Sequence, residues 1–153
     1  MIEIINATEK DIDDLMSIRL EMLRIVNGMK EKDTFSETLI QCSRAYFLNG
    51  DQTTVLAKDK GKTVGCASIS YISVMPTFDH PTGKRAHLMN VYTKKEYRRL
   101  GIAKKMADLL IQEAEKRGCT EISLDSTSLG RPLYKALGFE ENTAAMVYEL
   151  RKN

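Results

Sequence analysis

The stretch "EYRRLGIAKKM", Glu96 to Met106, sets two arginines directly before a lone glycine and then begins an amphipathic helix. A helix N-terminus already carries partial positive charge, so Arg98, Arg99, Lys104 and Lys105 repel one another and the dipole unless an anion sits among them. The first amides of a helix have no intrahelical partner, so an anion there gains hydrogen bonds and a favourable dipole together. Gly101 and Ala103 keep bulk away from the points of closest approach, and arginine side chains suit phosphate oxygens. A pyrophosphate is the ligand this nest fits best.

Downstream, from Gly101 to Arg117, Ile102, Met106, Leu109, Leu110 and Ala114 alternate with Lys104, Lys105, Asp108, Gln112 and Glu115, which predicts a helix with one buried face, capped by Gly118. "CTEISLD" then reads as a strand, "SLGRPLYKALGF" as a short helix closed by Gly138, and "AAMVYELR" as a last strand with Met146, Tyr148 and Leu150 on one side. Upstream, "AHLMNVYT" (Ala86 to Thr93) is a strand, preceded by the loop "PTFDHPTGKR", where Pro76, Pro81 and Gly83 forbid regular structure. Two β-rich runs joined by Asp59-Lys60-Gly61-Lys62 form a hairpin. The N-terminal part supplies a strand (Ile2 to Ala7), a helix capped by Thr8 and stopped at Gly28, and a second helix from Phe35 to Leu48 with Phe35, Leu39, Cys42 and Tyr46 on one stripe.

The chain of 153 residues is read as one domain, 1–153, large enough to bury a core of its own. An apolar fraction of 42%, a charged fraction of 29% and a formal charge of +2 are ordinary for a globular protein and imply neither a nucleic-acid nor a membrane partner. Cys42, Cys66 and Cys119 are odd in number and outside any CxxC pair, which argues against a disulfide framework and a zinc site; no metal is expected. The N-terminus has no basic and apolar leader pattern and no run reaches membrane-span length, so a cytoplasmic protein is expected.

The sequence has no GxxxxGK[ST], as a triphosphatase loop requires, and no GxGxxG after a strand, as a dinucleotide fold requires. The remaining common carrier of a pyrophosphate is coenzyme A. At this point "NVYTKKEYRRLGIAKKMADLLIQEAEKRG" resembles the central motif of the GCN5-related N-acetyltransferases, Arg or Gln, two residues, Gly, one residue, Gly or Ala, with Arg98, Gly101 and Ala103 in register. "GRPLYKALGF" resembles that family's helix carrying a tyrosine ahead of Gly-Phe, and the element order agrees along the whole chain. The resemblance implies an α/β (α+β) fold with a mixed, mostly antiparallel sheet of about six to seven strands and about four helices, in the order β-α-α-β-β-β-α-β-α-β.

The resemblance further implies an N-acetyltransferase with acetyl-CoA as co-substrate, transferring acetyl to a primary amine by direct attack in a ternary complex. The backbone of Val91, Tyr92 and Thr93 would pair with the pantetheine arm, and the residues Arg98, Arg99, Leu100, Gly101, Ile102, Ala103 and Lys104 would hold the pyrophosphate. Tyr134 would lie near the sulfur, contacting the cofactor and donating a proton to the departing thiolate. Where the family often has an asparagine before that tyrosine, this chain offers Thr127 and Ser128, which makes Ser128 a candidate contact.

A protonated amine must lose a proton before it attacks, and the family often uses a glutamate on the strand before the motif. Here that strand reads His87, Leu88, Met89, Asn90, Val91, Tyr92, without a carboxylate. His87, with a suitable pKa range, and Asp125, after the motif helix, are the candidates for the base, with His80 behind them. The acceptor, a small-molecule amine or a peptide, would enter between the first two helices and the Pro76 to Arg85 loop, near Tyr46, Phe78 and Asp79. The resemblance leaves a homodimer open. Two other readings use the same residues: an acyl-CoA sensor without transferase activity, and a nucleic-acid binder using Lys94, Lys95, Arg98, Arg99, Lys104 and Lys105.

Overall fold

The computed structural model describes residues 1–151. Strand β1 (Ile2–Asn6) leads to Thr8, whose hydroxyl accepts from the Lys10 amide while the Asp11 carboxylate accepts from the Thr8 amide at 2.8 Å. That reciprocal cap closes a single 3-10 turn, Glu9–Asp11, so α1 (Ile12–Val26) starts later than the Thr8 cap predicts. Helix α2 (Glu37–Asn49) starts two residues after Phe35, because Ser36 Oγ accepts from the Leu39 amide at 3.1 Å and makes Ser36 the cap. Phe35 instead lies under the Arg24 guanidinium, and the sheet-facing stripe of α2 is Ile40, Ser43 and Phe47, leaving the predicted Leu39 and Cys42 exposed.

Strands β2 (Gln52–Asp59), β3 (Lys62–Ser73) and β4 (Lys84–Thr93) run antiparallel in sequence, with Asp59 opposite Lys62 at the expected hairpin. Helix α3 (Ile102–Lys116) carries the chain back so that β5 (Glu121–Ser123) lies parallel to β4, and the sheet order is β1-β2-β3-β4-β5. Helix α4 (Arg131–Ala136) follows. One core, containing Val55, Val64, Ile69, Leu88, Met106 and Leu110, binds α3 to one face of the sheet, with Tyr134, Leu137 and Phe139 packed against it. The other face, through Leu56, Cys66 and Tyr92, meets Leu15, Met16, Ile18 and Phe47 of α1 and α2. Within α3 the buried stripe includes Ala107 and omits Leu109, which is exposed: Met106, Ala107, Leu110 and Ala114 centre on one direction at about 100° per residue, and Leu109 falls to its flank.

The described residues thus hold five strands and four α-helices, where six to seven strands were predicted. The missing strand is "AAMVYELR", which has no regular structure; Met146, Tyr148 and Leu150 are exposed. An alternating pattern makes a segment able to form a strand, but a strand exists only through its partner's hydrogen bonds, and here the neighbouring β5 is three residues long and pairs with β4 alone.

Candidate active site

Strand β4 is bent by a bulge. Cys66 faces Tyr92 and Ser68 faces Met89, so Asn90 and Val91 together answer Ala67 of β3, and Asn90 takes φ +60. Asparagine tolerates the left-handed conformation better than most residues with a Cβ. On its other edge β4 pairs with β5 at Arg85, Ala86 and His87 and no further. From Leu88 to Thr93 that edge has no strand beside it among the described residues, which is where a backbone-pairing ligand can add one.

The chain leaving β4 turns at Lys95–Tyr97 and reaches α3 through two left-handed residues, Arg99 at φ +64 and Gly101 at φ +78. Gly101 is the N-cap of α3 and supplies no side-chain acceptor, so the first-turn amides are left to another acceptor. A Cβ placed on Gly101 meets no atom within 4 Å, so the space before the helix start is open. No acidic residue lies in the first turn of α3; Lys104 reaches Asp108 at 3.5 Å, whereas Arg98, Arg99 and Lys105 form no ion pair among the described residues. Arg98 is held by its Nε, which donates to the Thr93 carbonyl at 3.0 Å. Lys94 of the basic run is already engaged by Glu21 at 3.2 Å.

Tyr134 is placed by the end of its own helix. Gly138, at φ +103, lets the Phe139 amide return to the Tyr134 carbonyl at 2.9 Å and the Gly138 amide to Lys135, the paired closure of a Schellman cap. The Phe139 ring consequently meets the Tyr134 ring edge-on, centroids 6.0 Å apart. The Tyr134 hydroxyl has no hydrogen-bond partner among the described residues, and burial raises its pKa above the usual phenol value.

The two base candidates meet. His87 Nδ1 lies 2.8 Å from Ser123 Oγ across the last rung of the β4–β5 ladder, and its Nε2 lies 3.7 Å from Asp125 Oδ2. An open groove of about 1020 Å³ lies against β5 and is lined by His87, Ser123, Asp125, Ser126, Tyr134 and Phe139 among others. His80 is spent elsewhere, with Nδ1 2.8 Å from Thr120 Oγ1 and Nε2 3.6 Å from Glu121.

The groove gathers the candidates for proton transfer but not those for the cofactor, since neither Val91 to Thr93 nor Arg98 to Lys104 lines it. Tyr92 and Thr93 are buried, and Tyr92 Oη donates to Glu21 at 2.7 Å, so their side chains face inward and only backbone groups are left for a ligand. Ile102 also buries its side chain, whereas Leu100 is exposed and Ala103 half-buried. Ser128 is exposed in the turn before α4. Of the predicted acceptor residues, Tyr46 hydrogen-bonds Ser70 at 2.7 Å, while Phe78 and Asp79 are exposed and make no hydrogen bond or ring contact with it. Asn90 and Arg19, bonded to each other at 3.1 Å, were not among the predicted site residues. They are 71 positions apart, and the only local signal was an asparagine, tolerant of positive φ, inside a strand pattern.

The model of the acetyltransferase (GNAT) family matches residues 12–139. The chain belongs to this family. A predicted acetyltransferase of Clostridium acetobutylicum, whose crystal structure includes acetyl-CoA, is 31% identical with a TM-score of 0.85, covering 98% of this chain and 97% of that one. Human N-acetyltransferase 8 is 26% identical over 113 residues, and bovine thialysine N-epsilon-acetyltransferase is 35% identical over 66 residues. These matches cover 71% and 41% of this chain, and the chain spans less than half the length of either curated relative, 47% and 39%. Within the GNAT fold the described part of this chain has no group of three or more His, Cys, Asp or Glu able to hold a metal ion, and no helix long and apolar enough to cross a membrane.

Proposed function

We propose that the chain, as a single domain over 1–153, is an acetyl-CoA-dependent N-acetyltransferase acting on a primary amine. The observation that carries this reading is the uncapped, open start of α3 at Gly101, set beside a β4 edge that β5 stops covering at His87 and that has no other partner strand among the described residues. The residues fit the cofactor: Val91 and Thr93 offer backbone groups to an extended arm, the amides from Ile102 to Lys104 offer donors to a pyrophosphate, and Arg98 and Arg99 offer charge. The presence of acetyl-CoA in the Clostridium relative's structure supports the same assignment.

Bound acetyl-CoA supplies the activated acetyl group. His87 accepts the amine's proton at a ring nitrogen, directly or through water, while Ser123 Oγ and the Asp125 carboxylate fix the ring. Tyr134 keeps its proton at neutral pH, because burial disfavours the phenolate, and so has one to give to a departing thiolate. The backbone amide of Val91, at the bulge, would donate to the oxygen on which charge develops.

Calorimetric titration with acetyl-CoA and with free CoA tests the reading. Both should bind, and Gly101→Glu, which puts a carboxylate into the open space before α3, should weaken both by at least about 100-fold. Equal affinity in the variant, or no binding to the wild type, would remove the cofactor assignment.

A further inference from the structure

Arg19 stands out among the charged groups. It projects from α1 to the sheet face at the β4 bulge, where Nη1 donates to Asn90 Oδ1 at 3.1 Å and approaches Met22 Sδ at 4.0 Å. It is half-buried on the α1 face that packs on the sheet, yet it forms no ion pair among the described residues. Nearby acids are taken: Glu21 by Tyr92 and Lys94, Asp14 by Lys58. The groups that act on it electrostatically are Cys66 and Tyr46, both neutral at physiological pH, and burial lowers its pKa. A desolvated cation without a counter-ion is costly, and a leucine or methionine would serve this stripe of α1 better.

Its surroundings are built to aim it. Asn90 Nδ2 donates to Ser68 Oγ at 3.2 Å, Ser68 Oγ lies 2.7 Å from Thr54 Oγ1, and Thr54 Oγ1 donates to Gln52 Oε1 at 2.6 Å. This buried relay fixes the Asn90 amide so that its oxygen faces the guanidinium. The remaining Arg19 donors stay available among the described residues, on the side of Tyr46, whose Oη is bonded to Ser70, with Ser70 Oγ 3.9 Å from the exposed Met89's Sδ. Lys58 and Lys94 are already paired, so Arg19, without an ion pair among the described residues, offers one positive charge and matches a monoanion.

We propose that the acceptor carries a carboxylate held by Arg19, and that the substrates are free amino acids rather than simple amines. This rests on the acetyltransferase reading, because Asn90 belongs to the bulge that aims the Val91 amide: a carboxylate anchored at Arg19 brings the same molecule's amine to the reacting end of β4. Guanidinium and carboxylate pair in a planar, two-bond geometry, which supplies orientation as well as affinity.

The test compares lysine with cadaverine, β-alanine with ethylamine, and phosphoethanolamine as a dianionic comparator, with acetyl-CoA binding followed separately. The wild type should prefer each amino acid over its decarboxylated partner by roughly 10- to 100-fold in kcat/KM, as a charged hydrogen bond implies. Arg19→Gln should bring that ratio to about one, mainly through KM, and Arg19→Lys should keep part of it. Asn90→Asp, which leaves the arginine in place but gives it an internal carboxylate, should also reduce the preference. Acetyl-CoA affinity should be the same in the two Arg19 variants. Bound acetyl-CoA with no preference for carboxylates, a stronger preference for phosphoethanolamine, or an equal loss on both members of each pair in Arg19→Gln would overturn this proposal and leave the cofactor reading standing. Failure to bind acetyl-CoA at all would overturn both.

Discussion

Tyr134→Phe separates a proton donor from a packing residue, because the two roles of this side chain reside in different atoms. The ring makes the edge-on contact with Phe139 at 6.0 Å and packs against the core shared by α3 and the sheet, and phenylalanine keeps both. The hydroxyl has no protein partner among the described residues, so its removal leaves no buried group unsatisfied and should change stability by no more than about 0.5 kcal/mol. For a chain of 153 residues that is a shift in Tm of about 1–2 °C. A general acid contributes about 10²- to 10⁴-fold, which corresponds to about 2.7–5.5 kcal/mol of barrier. Loss of the hydroxyl should therefore lower the single-turnover rate by at least about 100-fold with little change in acetyl-CoA affinity. Burial raises the phenol's pKa above its ordinary value of 10.0, so the donor is fully protonated below that pH and the deficit should be constant from pH 6 to 9. Free CoA is best quantified by chromatography, because exposed Cys42 would consume a thiol reagent. An unchanged Tm with a rate within threefold of wild type would refute the assignment, and a fall in rate matched by a large fall in Tm would show a structural role.

The Asp59 carboxyl is held below its usual pKa, first by the hydrogen bond from Tyr97 Oη at 2.7 Å. Its contribution to stability is thus present above the unfolded value of 3.8 and lost as pH falls through the lower folded value; Tm below about pH 4 should drop less steeply in Tyr97→Phe than in wild type, and parallel curves would contradict this. Burial pushes the Cys66 thiol up to about 12, so at pH 8 its thiolate fraction is about 10⁻⁴ and a maleimide should label Cys42 rapidly and Cys66 only after unfolding, as peptide mapping would show. Labelling of Cys66 at the rate of Cys42 in native protein would mean that the α1 side of the sheet opens.

The sequence alone carried whatever depends on near neighbours in the chain. The glycine and alanine spacing after Arg98 located the start of α3, the period of Ile102 to Ala114 most of its buried face, and Tyr134 with Gly138-Phe139 a capped helix that orients the tyrosine. Each is legible because φ preference, helical period and capping are local physics. Long-range pairing was not legible. The segment from Ala144 to Arg151 alternates like a strand and remains irregular, because alternation does not supply the partner edge that makes a strand. His87 and Asp125, candidates for one role by sequence, lie together because β4 and β5 are parallel and stop pairing at His87. Arg19 carried no functional signal: its spacing only puts it, beside Ile18, on the apolar stripe of α1. Only the tertiary structure sets it against Asn90, by placing α1 over the bulge in β4, and there its burial without a counter-ion gives the charge its meaning.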